Sequence, residues 1–319
     1  MKEPLSVATY DTTHAHTLYK DFAAFLQEHF DTKVQKISIN AGFTCPNRDG
    51  RVLRGGCTYC NNASFNPDYC KPEKSIATQL REGMDFFARK YPQMKYLAYF
   101  QAYTNTYAPL EQIRRLYEEA LSVDGVVGLV IGTRPDCVPN EVLDYLSTLS
   151  QQTFLMVEYG LESMNNDVLA HIRRGHTVEC SIDALWRTKE RGILTGAHLI
   201  LGLPGETKEA LVAQAKQVAQ LPIDTLKLHQ LQLIKGTEMA HDYRRYPDKY
   251  HFFTIEEYID LICRYIEQLP PEMTLERFTS SSPVHLQVLP GWGLKNYQFV
   301  ELLKSELRKR QTYQGRLQG

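Results

Sequence analysis

VQKISINAGFTCPNRDGRVLRGGCTYC (34–60) runs from an apolar, β-rich stretch straight into a loop that carries three of the seven cysteines. The stretch at 34–39 reads as a strand. It has counterparts at YLAYF (96–100), VVGLVI (126–131), FLMVE (154–158), AHLIL (197–201) and LKLHQLQLI (226–234). Helical patterns lie between them. PLEQIRRLYEEAL (109–121) places Leu110, Ile113, Leu116, Tyr117, Ala120 and Leu121 on one face, and KEALVAQAKQVAQL (208–221) repeats the pattern. Near-continuous apolar strands alternating with amphipathic helices make βα units around a parallel sheet. Six units suit a partial barrel or a doubly wound open sheet. Polar segments rich in Gly and Pro follow each strand: NAGFTCPNRDG, QAYTNTYAP, GTRPDCVP, EYGLES, GLPGET and IKGTEM. In parallel α/β proteins the C-terminal strand edge is where sites are built.

Beyond residue 240 the pattern changes. HDYRRYPDKYHFF (241–253) is dense in aromatics and cations. A helix over 255–268, a short strand near TLERFT and a basic terminal helix follow. This gives an N-terminal segment (1–30), a βα core (31–240) and a C-terminal extension packed on it (241–319).

The 319 residues are 43% apolar, enough for a large core, and 36 Lys plus Arg against 37 Asp plus Glu leave a net charge of −1. Any nucleic-acid contact must therefore use a local patch. The cysteines are not spaced as a disulfide framework. The N-terminus has no signal-peptide pattern, and no apolar run reaches the ~20 residues of a membrane span. The expectation is a soluble cytoplasmic protein with reduced thiols.

Cys45, Cys57 and Cys60 offer soft ligands in a turn relaxed by Gly55 and Gly56. Two readings stand. With Cys70 as fourth ligand the loop is a zinc knuckle in a non-enzymatic binding module. With three ligands it holds a [4Fe-4S] cluster whose fourth iron is open to a small chelating molecule. The rim position and Tyr59 beside Cys60 favour the second.

The cysteine loop, GTRPD (132–136), EYGLES (158–163), RRGHT (173–177), LGLPGET (201–207), KGTEM (235–239), LPGWGLKN (289–296) and TYQGR (312–316) occur in an order that resembles the radical S-adenosylmethionine (radical SAM) family. More narrowly, the chain looks like the YtqA/YhcC type, related to the radical SAM domain of the Elongator catalytic subunit. The resemblance covers roughly residues 30–317. It implies a partial (β/α)6 TIM-like barrel, a cluster on Cys45, Cys57 and Cys60, and S-adenosylmethionine (SAM) chelated to the open iron. One-electron cleavage of SAM then releases a 5′-deoxyadenosyl radical. The family's usual Gly-Gly-Glu segment is replaced by QAYTNTY. Gln101, Tyr103, Thr104 and Asn105 are therefore assigned to the methionine end of SAM, Arg134 to its carboxylate and Glu158 to the ribose. Tyr59 lies beside the cluster, Ile200 flanks the adenine, and Gly202 allows close backbone approach.

The same resemblance points to tRNA as substrate. It implies conversion of a wobble 5-carboxymethylaminomethyl-(2-thio)uridine to the 5-aminomethyl nucleoside, with an electron donor such as flavodoxin or ferredoxin. A small-molecule or peptide substrate is the alternative. Arg244, Arg245 and Tyr246, and Arg310 in LRKRQTYQGR, are the candidate RNA contacts, because aromatics stack on bases while cations hold phosphates.

Overall fold

The computed structural model describes residues 17–88, 91, 93–280 and 282–318. The first sixteen residues of the N-terminal segment therefore lie outside the described part. All six expected strands form: β1 (Val34–Ile39), β2 (Lys95–Phe100), β3 (Val126–Thr133), β4 (Phe154–Glu162), β5 (Leu194–Leu201) and β6 (Thr225–Gln230). The run at 226–234 is not one strand. The chain turns after Gln230, where Leu231 N–H bonds the Leu201 carbonyl (2.9 Å). The short β7 (Leu233–Ile234) then pairs antiparallel with β9 (Gln287–Leu289).

The C-terminal extension does more than pack on the core. Its β8 (Thr274–Arg277) pairs parallel with β6 and completes a seven-stranded sheet in the order β1-β2-β3-β4-β5-β6-β8. The result is a curled, all-parallel partial barrel rather than a doubly wound sheet, in which strand order would reverse at the first strand.

Side chains alternate across the sheet, as strand geometry requires. Ile37, Ile39, Ala98, Phe100, Leu129, Ile131, Leu155 and Val157 join the large outer core. Helices α2 (Ile76–Ala88), α3 (Leu110–Leu121), α4 (Asn140–Ser150), α6 (Val178–Lys189) and α7 (Lys208–Val218) cross between successive strands, and α9 (Ile255–Ile266) and α10 (Asn296–Lys309) complete the outer layer. Leu97, Tyr99, Val130 and Met156 belong to a separate inner cluster with Phe25, packed by Phe22 and Phe154. Phe22 and Phe25 come from α1 (Phe22–His29), which plugs the barrel's interior.

Above that plug lies a layer of charges. Glu158 on β4 accepts from Lys36 on β1 (2.7 Å) and twice from Lys227 on β6 (2.8 Å each). Glu276 on β8 meets both lysines, at 2.8 Å and 3.0 Å. The Lys36–Glu276 pair links the first and last strands of the open sheet. Two cations and two anions cancel, and that is what allows them to be buried.

Candidate active site

A cavity opens above the charge layer, at the C-terminal ends of the strands. Its atom-free space, counting the mouth, is about 1370 Å³. Cys45, Cys57 and Cys60 form part of the lining.

The cysteine loop is held from within and without. Arg48 and Asp49 N–H groups bond the Cys45 carbonyl (2.8 and 3.1 Å), Gly56 N–H bonds Asn47 O (2.8 Å), and Cys60 N–H bonds Cys57 O (3.0 Å). Buried Asn47 donates to the carbonyls of Arg173 and Arg174, at 2.8 and 2.9 Å. That approach needs Gly175, whose φ of +80° is left-handed and whose added Cβ would lie 2.8 Å from Asn47 Oδ1. The loop also bonds the end of α5 (Asn166–His171) through Thr58 N to Ile172 O, 3.0 Å. Met239 N, at the start of α8 (Glu238–Arg245), bonds Thr58 O at 2.8 Å.

Donors surround the sulfurs. Asn47 Nδ2 lies 3.3 Å from Cys57 Sγ and Arg174 Nη1 3.8 Å from it, while Arg48 Nη2 is 3.8 Å from Cys60 Sγ. Even so, burial and the nearby Cys57 push the Cys60 thiol up to about 11, against the pull of Arg48. Additional positive charge is needed to hold Cys60 as a thiolate, and an iron–sulfur cluster supplies it. Among the described residues, no three His, Cys, Asp or Glu side chains are grouped to hold a single metal ion. Cys70 turns away. Its thiol donates to the Ser38 carbonyl (2.9 Å), and it is absent from the cavity wall. The four-cysteine zinc knuckle is therefore not what the fold builds. Three thiols on one wall fit a cluster with one iron left for another ligand.

Tyr59, Gln101, Tyr103, Thr104, Arg134, Glu158 and Ile200 share this cavity with the cysteines. Tyr59 also packs on the apolar cluster of Val168, Leu169 and Ile172. Gln101 accepts from Ser38 Oγ (2.8 Å), and Tyr103 N–H donates to Asn62 Oδ1 (3.2 Å) from a left-handed φ of 63°. Arg134 makes two parallel bonds to Asp136 (2.8 Å each), leaving Nη1 buried without a partner.

Three assignments need correction. Glu158 cannot simply accept from a ribose, because both its oxygens are taken by Lys36, Lys227 and, at 3.3 Å, His198. Burial opposes its charge, but Lys227 and then Lys36 hold its carboxyl well below the usual range. Asn105 faces away from the cavity, its amide donating to the carbonyls of Phe100 (3.0 Å) and Gly132 (2.7 Å), so it pins the end of β2 to β3. Gly202 is also outside the lining. Its φ is +93°, and an added Cβ would meet the Phe253 ring at 3.0 Å.

The RNA candidates lie outside the cavity lining. Arg244 and Arg245 end α8 with exposed side chains, and Tyr246 is 52% exposed with the Lys249 ammonium 4.1 Å from its ring centre. Tyr243, Tyr250 and Phe252 pack on one another instead. Arg310 is committed to Asp260 and Glu306 (2.8 Å each) and ties α10 to α9, which corrects its assignment as an RNA contact.

Sequence reasoning missed Asn47, Arg48, Glu162, Arg174, His198, His229 and Arg277. In RRGHT (173–177) nothing local shows that buried Arg174 crosses to Gly160 O (2.6 Å), Glu162 (3.5 Å) and Cys57.

Residues 42–217 match the Radical SAM superfamily and residues 223–309 the Radical_SAM C-terminal domain. The chain is 38% identical over 291 residues to YtqA of Bacillus subtilis, covering 91% of this chain and 90% of that one. It is 37% identical over 272 residues to YhcC of Escherichia coli, covering 85% and 86%. A tRNA uridine(34) acetyltransferase of Methanocaldococcus jannaschii is 28% identical over 203 residues, 63% of this chain but 36% of that protein. The structure of an archaeal Elp3 from Methanocaldococcus infernus, with an N-terminal deletion, shares the fold at a TM-score of 0.68 and 19% identity, over 89% of this chain and 64% of that one. No helix among the described residues is long and apolar enough to cross a membrane. With three cysteines on one cavity wall at the strand ends of a parallel partial barrel, and both family matches falling on that barrel, the chain belongs to the radical SAM superfamily, enzymes that use a [4Fe-4S] cluster and S-adenosylmethionine.

Proposed function

We propose that this radical SAM enzyme acts in the cytoplasm on the wobble uridine of tRNA, converting 5-carboxymethylaminomethyl-(2-thio)uridine to 5-aminomethyl-(2-thio)uridine. The observation that carries the reading is the likeness to a tRNA uridine(34) acetyltransferase across 63% of the chain, together with a cavity at the strand ends that the three cysteines line. When bound, cluster and SAM supply a radical able to take a hydrogen atom. Loss of that hydrogen atom from the methylene beside the amine, with one electron passed back to the donor protein, would leave an imine, and water would split its C–N bond into the aminomethyl group and a two-carbon aldehyde acid.

The chain's own residues set up that reaction. Cys45, Cys57 and Cys60 hold the cluster, and Arg48, Arg174 and Asn47 balance sulfur charge. Gln101, Tyr103, Thr104 and the free Nη1 of Arg134 face the SAM position. Arg244, Arg245 and Tyr246 receive the RNA outside, and a flavodoxin or ferredoxin delivers the electron.

Mass spectrometry of tRNA nucleosides from cells with and without the protein tests this. Loss of the protein is expected to raise the carboxymethylaminomethyl nucleoside and lower the aminomethyl one. An unchanged profile would defeat the reading.

A further inference from the structure

The cavity has a second wall, opposite in character to the cysteines, built from the ends of β5, β6 and β8. Among the described residues, each other charged side chain that lines the cavity has a partner. Arg48 bonds Cys60 O (3.1 Å), Arg134 bonds Asp136, Arg174 pairs with Glu162, and Glu158 holds two lysines and His198. Arg277, exposed at the cavity's edge, makes no hydrogen bond or ion pair with another described residue.

Its position is built, not incidental. The β6–β8 register runs Leu226↔Leu275 and then Lys227↔Arg277, skipping Glu276. Such a bulge re-aims side chains. Here it sends Glu276 down into the charge layer and leaves Arg277 on the cavity. The wall around it is braced. Ser280 N–H donates to Gln230 Oε1 (2.9 Å), Gln232 Nε2 donates to Ser280 O (3.1 Å), and Ser282 Oγ donates to Gln232 Oε1 (2.8 Å). Beside it, His229 Nε2 is buried without a partner, its ring 5.4 Å from that of His198. Burial, then His198, Arg277 and Lys227, keep His229 neutral.

We propose that Arg277 is the receptor for a carboxylate on the substrate, gripping it in a forked pair with the His229 ring beside it, and that this grip presents the adjoining methylene to the cysteine wall. The inference rests on the tRNA reading above, whose nucleoside ends in a carboxymethyl group. A guanidinium matches a carboxylate in two parallel bonds and cannot lose its charge. An RNA phosphate offers the same chemistry, so the test must separate the two.

The experiment uses anaerobically purified holoenzyme and two tRNA preparations, one bearing 5-carboxymethylaminomethyluridine and one the 5-aminomethyl product. Wild-type protein is expected to bind the first more tightly. Arg277→Gln is expected to weaken binding of the first by about 10- to 100-fold, the range for a charged hydrogen bond, with no change for the second, so that the preference disappears. Arg277→Lys keeps the charge without the fork and is expected to fall between; it carries the same test should Arg277→Gln fail to load iron and sulfide. Equal weakening for both tRNAs assigns Arg277 to a phosphate and overturns the proposal. A variant that keeps the wild-type preference overturns the carboxylate assignment alone. Wild-type protein with no preference, and no conversion of the first tRNA, overturns the functional reading and this inference with it.

Discussion

Replacing Glu158 by Gln separates a structural floor from a cofactor contact. The side chain is 1% exposed and lies between Lys36 and Lys227 at 2.7 and 2.8 Å. Glutamine keeps the shape and removes the charge. Two buried ammonium groups would then share Glu276 alone, leaving one uncompensated positive charge. Removing one partner of a buried pair costs about 3–5 kcal/mol. Lys36 retains 11% exposure, so water reaches it and the lower end, about 3 kcal/mol, applies. At ~2–4 °C per kcal/mol, melting should fall by roughly 6–12 °C. Circular dichroism melting of the anaerobic holoprotein reads this directly. The pH dependence gives a second signature. The carboxyl is held below its unfolded value, so its contribution is complete above about pH 4.3 and is lost as pH falls through the folded value. The gap between wild type and Glu158→Gln should hold from pH 7 to 5 and close only in stronger acid. Adding Lys227→Met removes the stranded cation, so the double variant should be at least ~1 kcal/mol more stable than the two single effects summed. A Glu158→Gln protein that melts within a degree of wild type yet no longer binds SAM would refute the floor and restore the ribose contact.

Cys70→Ala should retain iron, sulfide and the brown colour, whereas Ala at Cys45, Cys57 or Cys60 should abolish them; metal analysis after anaerobic purification decides. Asn105→Ala removes the side-chain donor to the carbonyls of Phe100 and Gly132, the latter keeping the residue 105 backbone N–H (3.3 Å), and should cost about 0.5–1.5 kcal/mol by denaturant unfolding, with SAM affinity little changed. Glu206 accepts from Ser163 and the N–H groups of Gly202 and Leu203, but burial outweighs them and raises it to about 7. Its contribution is therefore full below about pH 4.5 and lost as pH rises through 7, by on the order of 3 kcal/mol; Glu206→Gln should flatten that slope. Arg310→Ala should lower stability by ~1 kcal/mol or less, its pairs being partly exposed, and leave tRNA affinity intact. Charge reversal at Arg244 and Arg245 should weaken tRNA binding and flatten its dependence on salt, as filter binding across a salt series will show.

The six early strands and the three-cysteine loop were legible because their signals are local. An apolar run reports a buried strand, and Cys-x-x-Cys reports a soft-metal turn, within a few residues. The charge layer was not legible. Lys36, Glu158, Lys227 and Glu276 are polar interruptions in four separate runs, and each by itself reads as an outward-facing residue. Only closure of the sheet brings them within 3.0 Å. The strand at 274–277 was placed in an extension for a related reason. TLER is short and half charged, and its inward Glu276 makes sense only against lysines 49 and 240 residues earlier in the chain. The stretch at 226–234 differs in the opposite direction: its apolar residues run on through Leu231 and Leu233, but their alternation slips by one at Gln230, where the backbone turns out of the sheet.

The seventh strand links these observations. With six strands alone, Lys36 and Lys227 would face Glu158 with a surplus positive charge in the barrel. Glu276 neutralises that surplus, and the bulge that turns it inward is the same irregularity that leaves Arg277 on the cavity wall. One backbone step thus sets both the stability of the floor and the charge above it. A change that straightens the β6–β8 register would couple the two. It would strand a lysine below and remove the cation above, so loss of stability and loss of carboxylate preference would appear together. Arg277→Gln, which leaves Glu276 in place, should separate them.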